Sequence, residues 1–135
     1  MTHKPLIAPS LEAILKAANE RFRDGKGMAV SIDPGTQGMC VYHAGENACV
    51  LGYMLPEDLA RKYTMAGGVD SLIEKLSQAG ILHEYQWLVV HRNVLNALQC
   101  IHDAADNWSG PWLNVKGLHA FMILCKSVGL SHLAW

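Results

Sequence analysis

Charge is scarce in this chain. Eleven lysines and arginines stand against twelve acids in 135 residues, and the formal net charge is −1. Duplex nucleic acid is not an expected partner, because phosphate binding needs clustered cations and none cluster here. Long apolar runs are missing too. Nothing approaches the ~20 residues that a membrane span requires. The opening "MTHKPLIAPSLEAILKAANERF" is broken up by Glu12 and Lys16, so it reads as an amphipathic helix and not as a signal peptide. The expectation is a cytoplasmic protein whose four cysteines are reduced thiols. The sequence also has no phosphate loop, dinucleotide fingerprint, HExxH or GxSxG, and "GTQG" is too short to count as any of them. No repeat, linker or low-complexity tract divides it.

What is present is apolar. Half the residues are hydrophobic, which suits one folded domain over 1–135 with a proper core. With so few charges, either that core is large or a partner covers part of the surface. A homo-oligomer is therefore expected.

The pattern predicts an α+β fold: a small three-stranded antiparallel meander packed on about five helices. Ser10 is a good N-cap, and Leu11, Ile14, Leu15, Ala18 and Phe22 recur at helical spacing up to a stop near Gly25. "GMAVSI", "MCVYH" and "ACVLGY" are the three strand candidates, with "AGEN" as a hairpin turn. "PEDLARKY" begins a short helix with acids in its first turn. Asp70 is a candidate cap for "SLIEKLSQA", which Gly80 ends. A long helix is predicted over 84–108. "SGP" then serves as a stop and restart before "WLNVKGLHAFMILCKSVGL". That last helix is apolar on most sides and so expected at the centre, ending at Gly129. The two long C-terminal helices form an antiparallel hairpin in this scheme.

The cysteines leave three possibilities open. Cys40 and Cys49 flank the turn on one face of the ladder, with Tyr42 and Leu51. They are buried packing groups, or metal ligands, or one is a reactive thiol. Zinc pairs usually stand two to four residues apart, which this spacing does not match. A nucleophile would need a nearby histidine or a helix N-terminus to lower its pKa.

The long helix carries the polar candidates. Gln99, His102, Asp103 and Asp106 fall three and four residues apart, so His102 and Asp106 are placed to pair and raise the histidine pKa. Trp108 and Trp112 beside these acids suggest an aromatic-lined pocket or an interface hot spot. Arg92 is a candidate anion contact nearby. Tyr42, Arg92, Gln99, His102, Asp103, Asp106, Trp108 and Trp112 are thus the candidate binding residues.

Cys40, Tyr42, Cys49, Gly52 and Leu55, followed by Leu98, Gln99, His102 and Asp103, make a Cys-x-aromatic…Cys-x-x-Gly hairpin and a Leu-Gln-x-x-His-Asp helix. Over residues 38–129 this order resembles a group of short uncharacterised phage and prophage proteins. The chain departs from the group's pattern at "GMAVSIDPGTQG" and at His43, where a basic residue is expected. The resemblance implies phage origin and action in the host cytoplasm, and it carries no activity with it. The expected function is a non-enzymatic binder that counters host defence by binding a host protein or sequestering a small signalling nucleotide. The alternative is a small metal- or thiol-dependent enzyme using Cys40, Cys49 and His102. No catalytic residue, resident metal or cofactor is assigned.

Overall fold

The structure is a computed structural model that describes residues 3–29, 42–44, 47–64 and 67–134. Among these residues helices dominate and no three-stranded meander forms. The chain runs through α1 (Leu11–Phe22), a two-residue ribbon β1 (His43–Ala44) and β2 (Asn47–Ala48), then α2 (Val50–Met54), α3 (Glu57–Lys62) and α4 (Val69–Gln78). It continues through α5 (Gln86–Val90), α6 (Arg92–Asp103), a second ribbon β3 (Trp108–Ser109) and β4 (Trp112–Leu113), and α7 (Val115–Ser127). Short 3₁₀ turns cover Leu82–Tyr85, Ala105–Asn107 and Ser131–Ala134. None of the described helices is long and apolar enough to cross a membrane.

Local signals placed several boundaries. Ser10 caps α1, its side chain accepting from the Ala13 amide at 3.1 Å. Gly80 and Gly129 take φ of 75° and 77° just past α4 and α7. In each case the next amide reaches back to close the end, Ile81 to the Leu76 carbonyl and Leu130 to the Cys125 carbonyl. That is the Schellman arrangement, and only glycine takes its left-handed turn without strain.

The three-stranded meander fails because much of the backbone in its outer two candidate strands is satisfied by groups other than a neighbouring strand. The hairpin turn is where it was expected, with His43 paired to Ala48 and Ala44 to Asn47. The third candidate strand, "ACVLGY", is instead the start of α2. Cys49 stays extended and its sulfur accepts from the Gly52 amide, while the Gln99 side chain accepts from the Leu51 amide at 2.9 Å. With two otherwise orphaned donors satisfied, the helix overrides the β preference of Val50 and Tyr53. The first candidate strand is not one where it is described. The Gly27 amide pairs with the Pro111 carbonyl and the Ala29 amide with His102. Its remainder, with Cys40, lies outside the described residues.

The long helix expected over 84–108 is in pieces. At His91 φ is −108°, which separates α5 from α6 and lets the adjacent Trp87 and Leu88 both turn inward. α6 stops at Asp103 because the side chains of Asn107 and Trp108 fold back to donate to the Ile101 and His102 carbonyls. "SGP" is not a helix restart. Gly110 takes φ of 61° in the two-residue loop Gly110–Pro111 of a hairpin, and Asn114 caps α7 through the Gly117 amide. α6 and α7 do pack together, but through this insertion and not across a simple turn. Nor is α7 central. Gly117, Phe121 and Cys125 are its buried row, and Val115 and Ile123 face outward.

The core gathers α1, α2, α4, α6 and one row of α7, with Phe22 edge-on to Phe121 at 5.3 Å. The C-terminal turn Ser131–Ala134 docks on its own chain. Leu133 and Ala134 are buried, and Arg23 donates to the Ala134 carbonyl at 2.9 Å.

Candidate functional site

Two places merit description: a buried polar seam through the middle of the protein, and a shallow groove at its edge. The seam contains most of the residues singled out from sequence.

Its base is Arg21, a residue the sequence pattern passed over as one more charge on a helix. It is 1% exposed. The guanidinium donates to the carbonyls of Ala48 and Gly27, to the Asn47 side chain at 3.0 Å and to Asp24 at 3.2 Å. Burial opposes its charge and Asp24 supports it. The only hint in sequence was its place one residue before Phe22, at the inner edge of the apolar stripe.

His102 is next in the seam and fully buried. Its Nδ1 lies 2.7 Å from Asp103 Oδ1, and its Nε2 lies 3.1 Å from the Ala29 amide nitrogen. An amide can only donate, so Nε2 is the acceptor and Nδ1 carries the proton. Burial lowers the pKa of this histidine, outweighing the opposing hydrogen bond that Nδ1 donates to Asp103. The expected His102–Asp106 pair does not form, because α6 has ended before Asp106 could complete the i, i+4 geometry. Asp106 instead stands 3.6 Å from Lys116 on the surface.

Gln99 and Cys49 meet at the N-terminus of α2. The Cys49 thiol is pushed up to about 12 by burial, and its sulfur is occupied as a cap. A thiolate nucleophile needs the opposite environment. Tyr42 is likewise structural. Its amide donates to the Thr64 carbonyl, and its hydroxyl reaches the Gly67 carbonyl at 2.6 Å, bracing the entry to α4; burial drives its pKa up.

Trp108 and Trp112 do not share a pocket. In the β3–β4 ribbon Trp108 pairs with Leu113 and Ser109 with Trp112, so the two indoles project from opposite faces. Trp108 packs edge-on to His102 at 5.8 Å. Trp112 lies over Gly25 and remains 54% exposed. Arg92 is exposed at the start of α6, outside the seam's hydrogen bonds. Among the described residues no cluster of three or more His, Cys, Asp or Glu is arranged to hold a metal ion.

The groove went unseen in the sequence. It measures ≈ 290 Å³ and is lined by Ala8 and Pro9 on one side and by residues 83, 84, 86, 87, 90 and 91 on the other, with the buried Trp87 among them. Ala8 has φ of 44°, the one non-glycine at positive φ among the described residues. Strain of ~1–3 kcal/mol at such a position is characteristic of ligand clamps and switch segments. Two of the most exposed large apolar side chains stand here. Val90 lines the groove at 71% exposure, and Ile7 precedes Ala8 at 95%.

No protein-family model matches the chain, and neither curated proteins nor solved structures show a detectable similarity.

The thiol environments give a direct test. In a Cys40→Ser background, Ellman's reagent should modify the exposed Cys100 in the native protein and reach the buried Cys49 and Cys125 only after unfolding. Native-state reaction at Cys49 would contradict its role as a cap. Cys49→Ala should cost about 1 kcal/mol in urea denaturation, and Cys49→Ser less, since a hydroxyl retains the acceptor.

Proposed function

We propose that this is a non-enzymatic, phage-encoded protein that works in the host cytoplasm by binding a host protein through the groove at residues 8–9 and 83–91. The phage setting rests on the sequence resemblance. Binding in place of catalysis is supported by the seam, where the groups best suited to chemistry already serve the fold: both nitrogens of His102, the Cys49 sulfur and the Gln99 oxygen have internal partners.

One observation carries the choice of a protein over a nucleotide. Beside His83 and His91 the groove lining includes Glu84 and, among the described residues, no lysine or arginine. A nucleotide would bring phosphates to a site with a carboxylate and no permanent cation, which is unfavourable. A partner segment with an apolar anchor beside a lysine or arginine matches both Val90 and Glu84. Self-association remains part of this reading, with Val115, Ile123 and Trp112 as further exposed apolar surface for a second copy. Sedimentation velocity across a hundredfold concentration range checks it.

The test of the groove is comparative. The immobilised protein should retain a discrete bacterial protein, and Ile7→Asp/Val90→Asp should abolish retention while Ile123→Asp, on the far element α7, should not. Equilibrium dialysis against mono-, di- and cyclic nucleotides should show no uptake. Stoichiometric nucleotide binding, or capture indifferent to the groove substitutions, overturns the proposal.

A further inference from the structure

We propose that His102 is the pin of an acid-released latch, which holds the segment Gly25–Ala29 against the body of the protein and lets it go when the imidazole is protonated.

Several hydrogen bonds hold this segment. The Gly27 amide donates to the Pro111 carbonyl at 3.0 Å. The Gly27 carbonyl accepts from Arg21. The Asn47 side-chain amide donates to the Lys26 carbonyl at 3.0 Å and reaches the Gly27 and Met28 carbonyls at 3.4 and 3.3 Å, and the Lys26 backbone amide donates to Asp24 Oδ1 at 2.9 Å. The Ala29 amide donates to His102 Nε2 at 3.1 Å. Backbone, guanidinium and carboxamide groups keep the same hydrogen-bonding character throughout the range from pH 4 to 8. The Asp24 carboxyl keeps an oxygen that can accept when it is protonated, so among these groups the imidazole alone reverses its role. A proton on Nε2 turns that acceptor into a donor facing another donor, so the contact changes from attraction to repulsion.

The surroundings set the direction. From α6, Asp103 contacts Nδ1 and favours the cation, as does Asp24 beyond α1; Arg21 and complete burial oppose it. The Cys49 thiol beside Gln99 stays neutral, since its own pKa is raised. Burial prevails, and His102 is neutral in the folded protein below the usual histidine range. The latch's contribution to stability is therefore complete above the unfolded-state histidine pKa. It falls away as pH drops through the lower folded-state value. Release is local because, among the described residues, no other tie to this segment reverses on protonation and the apolar core of α1, α2, α4 and α6 does not titrate. The carbonyl of His102 also accepts from Trp108 Nε1 at 2.8 Å, so the β3–β4 ribbon senses the same event.

Amide hydrogen exchange followed by NMR from pH 7.5 to 4 tests the latch. Imidazole nitrogen shifts should show the Nδ1–H tautomer of His102 at pH 7.5. The Ala29 amide should be protected there, and once intrinsic exchange is factored out it should lose protection by up to about tenfold per pH unit between the ordinary histidine pKa and the lower folded-state midpoint of His102, then level off, as one-proton linkage requires. The Leu98 amide, in α6, should keep its protection over that interval. Asp103→Asn should move the midpoint to lower pH by about one unit, because the carboxylate favouring the cation is gone. His102→Gln, whose side-chain oxygen accepts without titrating, should flatten the profile. The proposal is overturned if Ala29 and Leu98 lose protection together, if His102 carries its proton on Nε2 at pH 7.5, or if Asp103→Asn leaves the midpoint in place. The Asp103 variant keeps a surface-edge side chain of the same shape, so it decides the matter even where His102→Gln does not fold.

Discussion

Gly52→Ala should be one of the most damaging single-atom additions in this protein, costing about 3 kcal/mol or more in urea denaturation. Gly52 is in the first turn of α2, and a Cβ there would lie 2.1 Å from the Tyr42 carbonyl oxygen and 2.9 Å from its carbon. Those are backbone atoms, and they cannot swing aside as a side-chain tip would. The same Tyr42 carbonyl accepts from the Cys49 amide at 3.2 Å, so displacing it disturbs the residue that caps α2. The Gly52 amide is also the donor to the Cys49 sulfur. One added methyl therefore acts on the cap, on the hairpin and on the helix that carries Leu51 and Met54 into the core. Gly68→Ala is the matched control. Nothing lies within 4 Å of its added carbon, and it should cost less than about 1 kcal/mol. Equal losses for the two substitutions would remove the close approach of α2 to Tyr42 as an explanation.

Arg21→Met should destabilise by about 3–5 kcal/mol, the usual consequence of removing one member of a buried charged network. Methionine fills most of the volume of the arginine stem. It leaves the Ala48 and Gly27 carbonyls, the Asn47 side chain and Asp24 without their shared donor. Arg21→Lys should recover only part of the loss, because one ammonium cannot span four acceptors set in a fork. The expected order of midpoints is wild type, then Lys, then Met. A methionine variant as stable as the wild type would show that the seam is replaceable by packing alone.

These two sites show what kind of information a sequence exposes. The caps at Ser10, Gly80 and Gly129 were legible because cap and capped group lie within a turn of each other in the chain. The amphipathic stripe of α1 was legible for the same reason. The hairpin turn was found, yet the third strand was not a strand. Cys49 acts there as serine would, and Gln99 supplies a second acceptor from forty-eight residues away. Periodicity alone also overestimated α6, because no period reveals that Asn107 and Trp108 will turn back to close it. Of the candidate binding residues, Tyr42, Gln99, His102 and Trp108 were singled out for chemistry and prove to be interior ties. Their polar atoms face partners in the fold. The groove escaped notice because its walls, Ala8–Pro9 and six residues between 83 and 91, are remote in sequence and individually ordinary.

By itself the sequence determined a small, weakly charged chain without familiar catalytic motifs, and it determined where several helices start and stop. Those properties are sums over composition or interactions within one turn. Tertiary structure decided which polar atom answers which. The histidine at 102 meets the amide at 29 across seventy-three residues, and the arginine at 21 reaches the carbonyl at 48 across twenty-seven. Each pairing exists only once the apolar core has brought the segments together and excluded the water that would otherwise satisfy both groups.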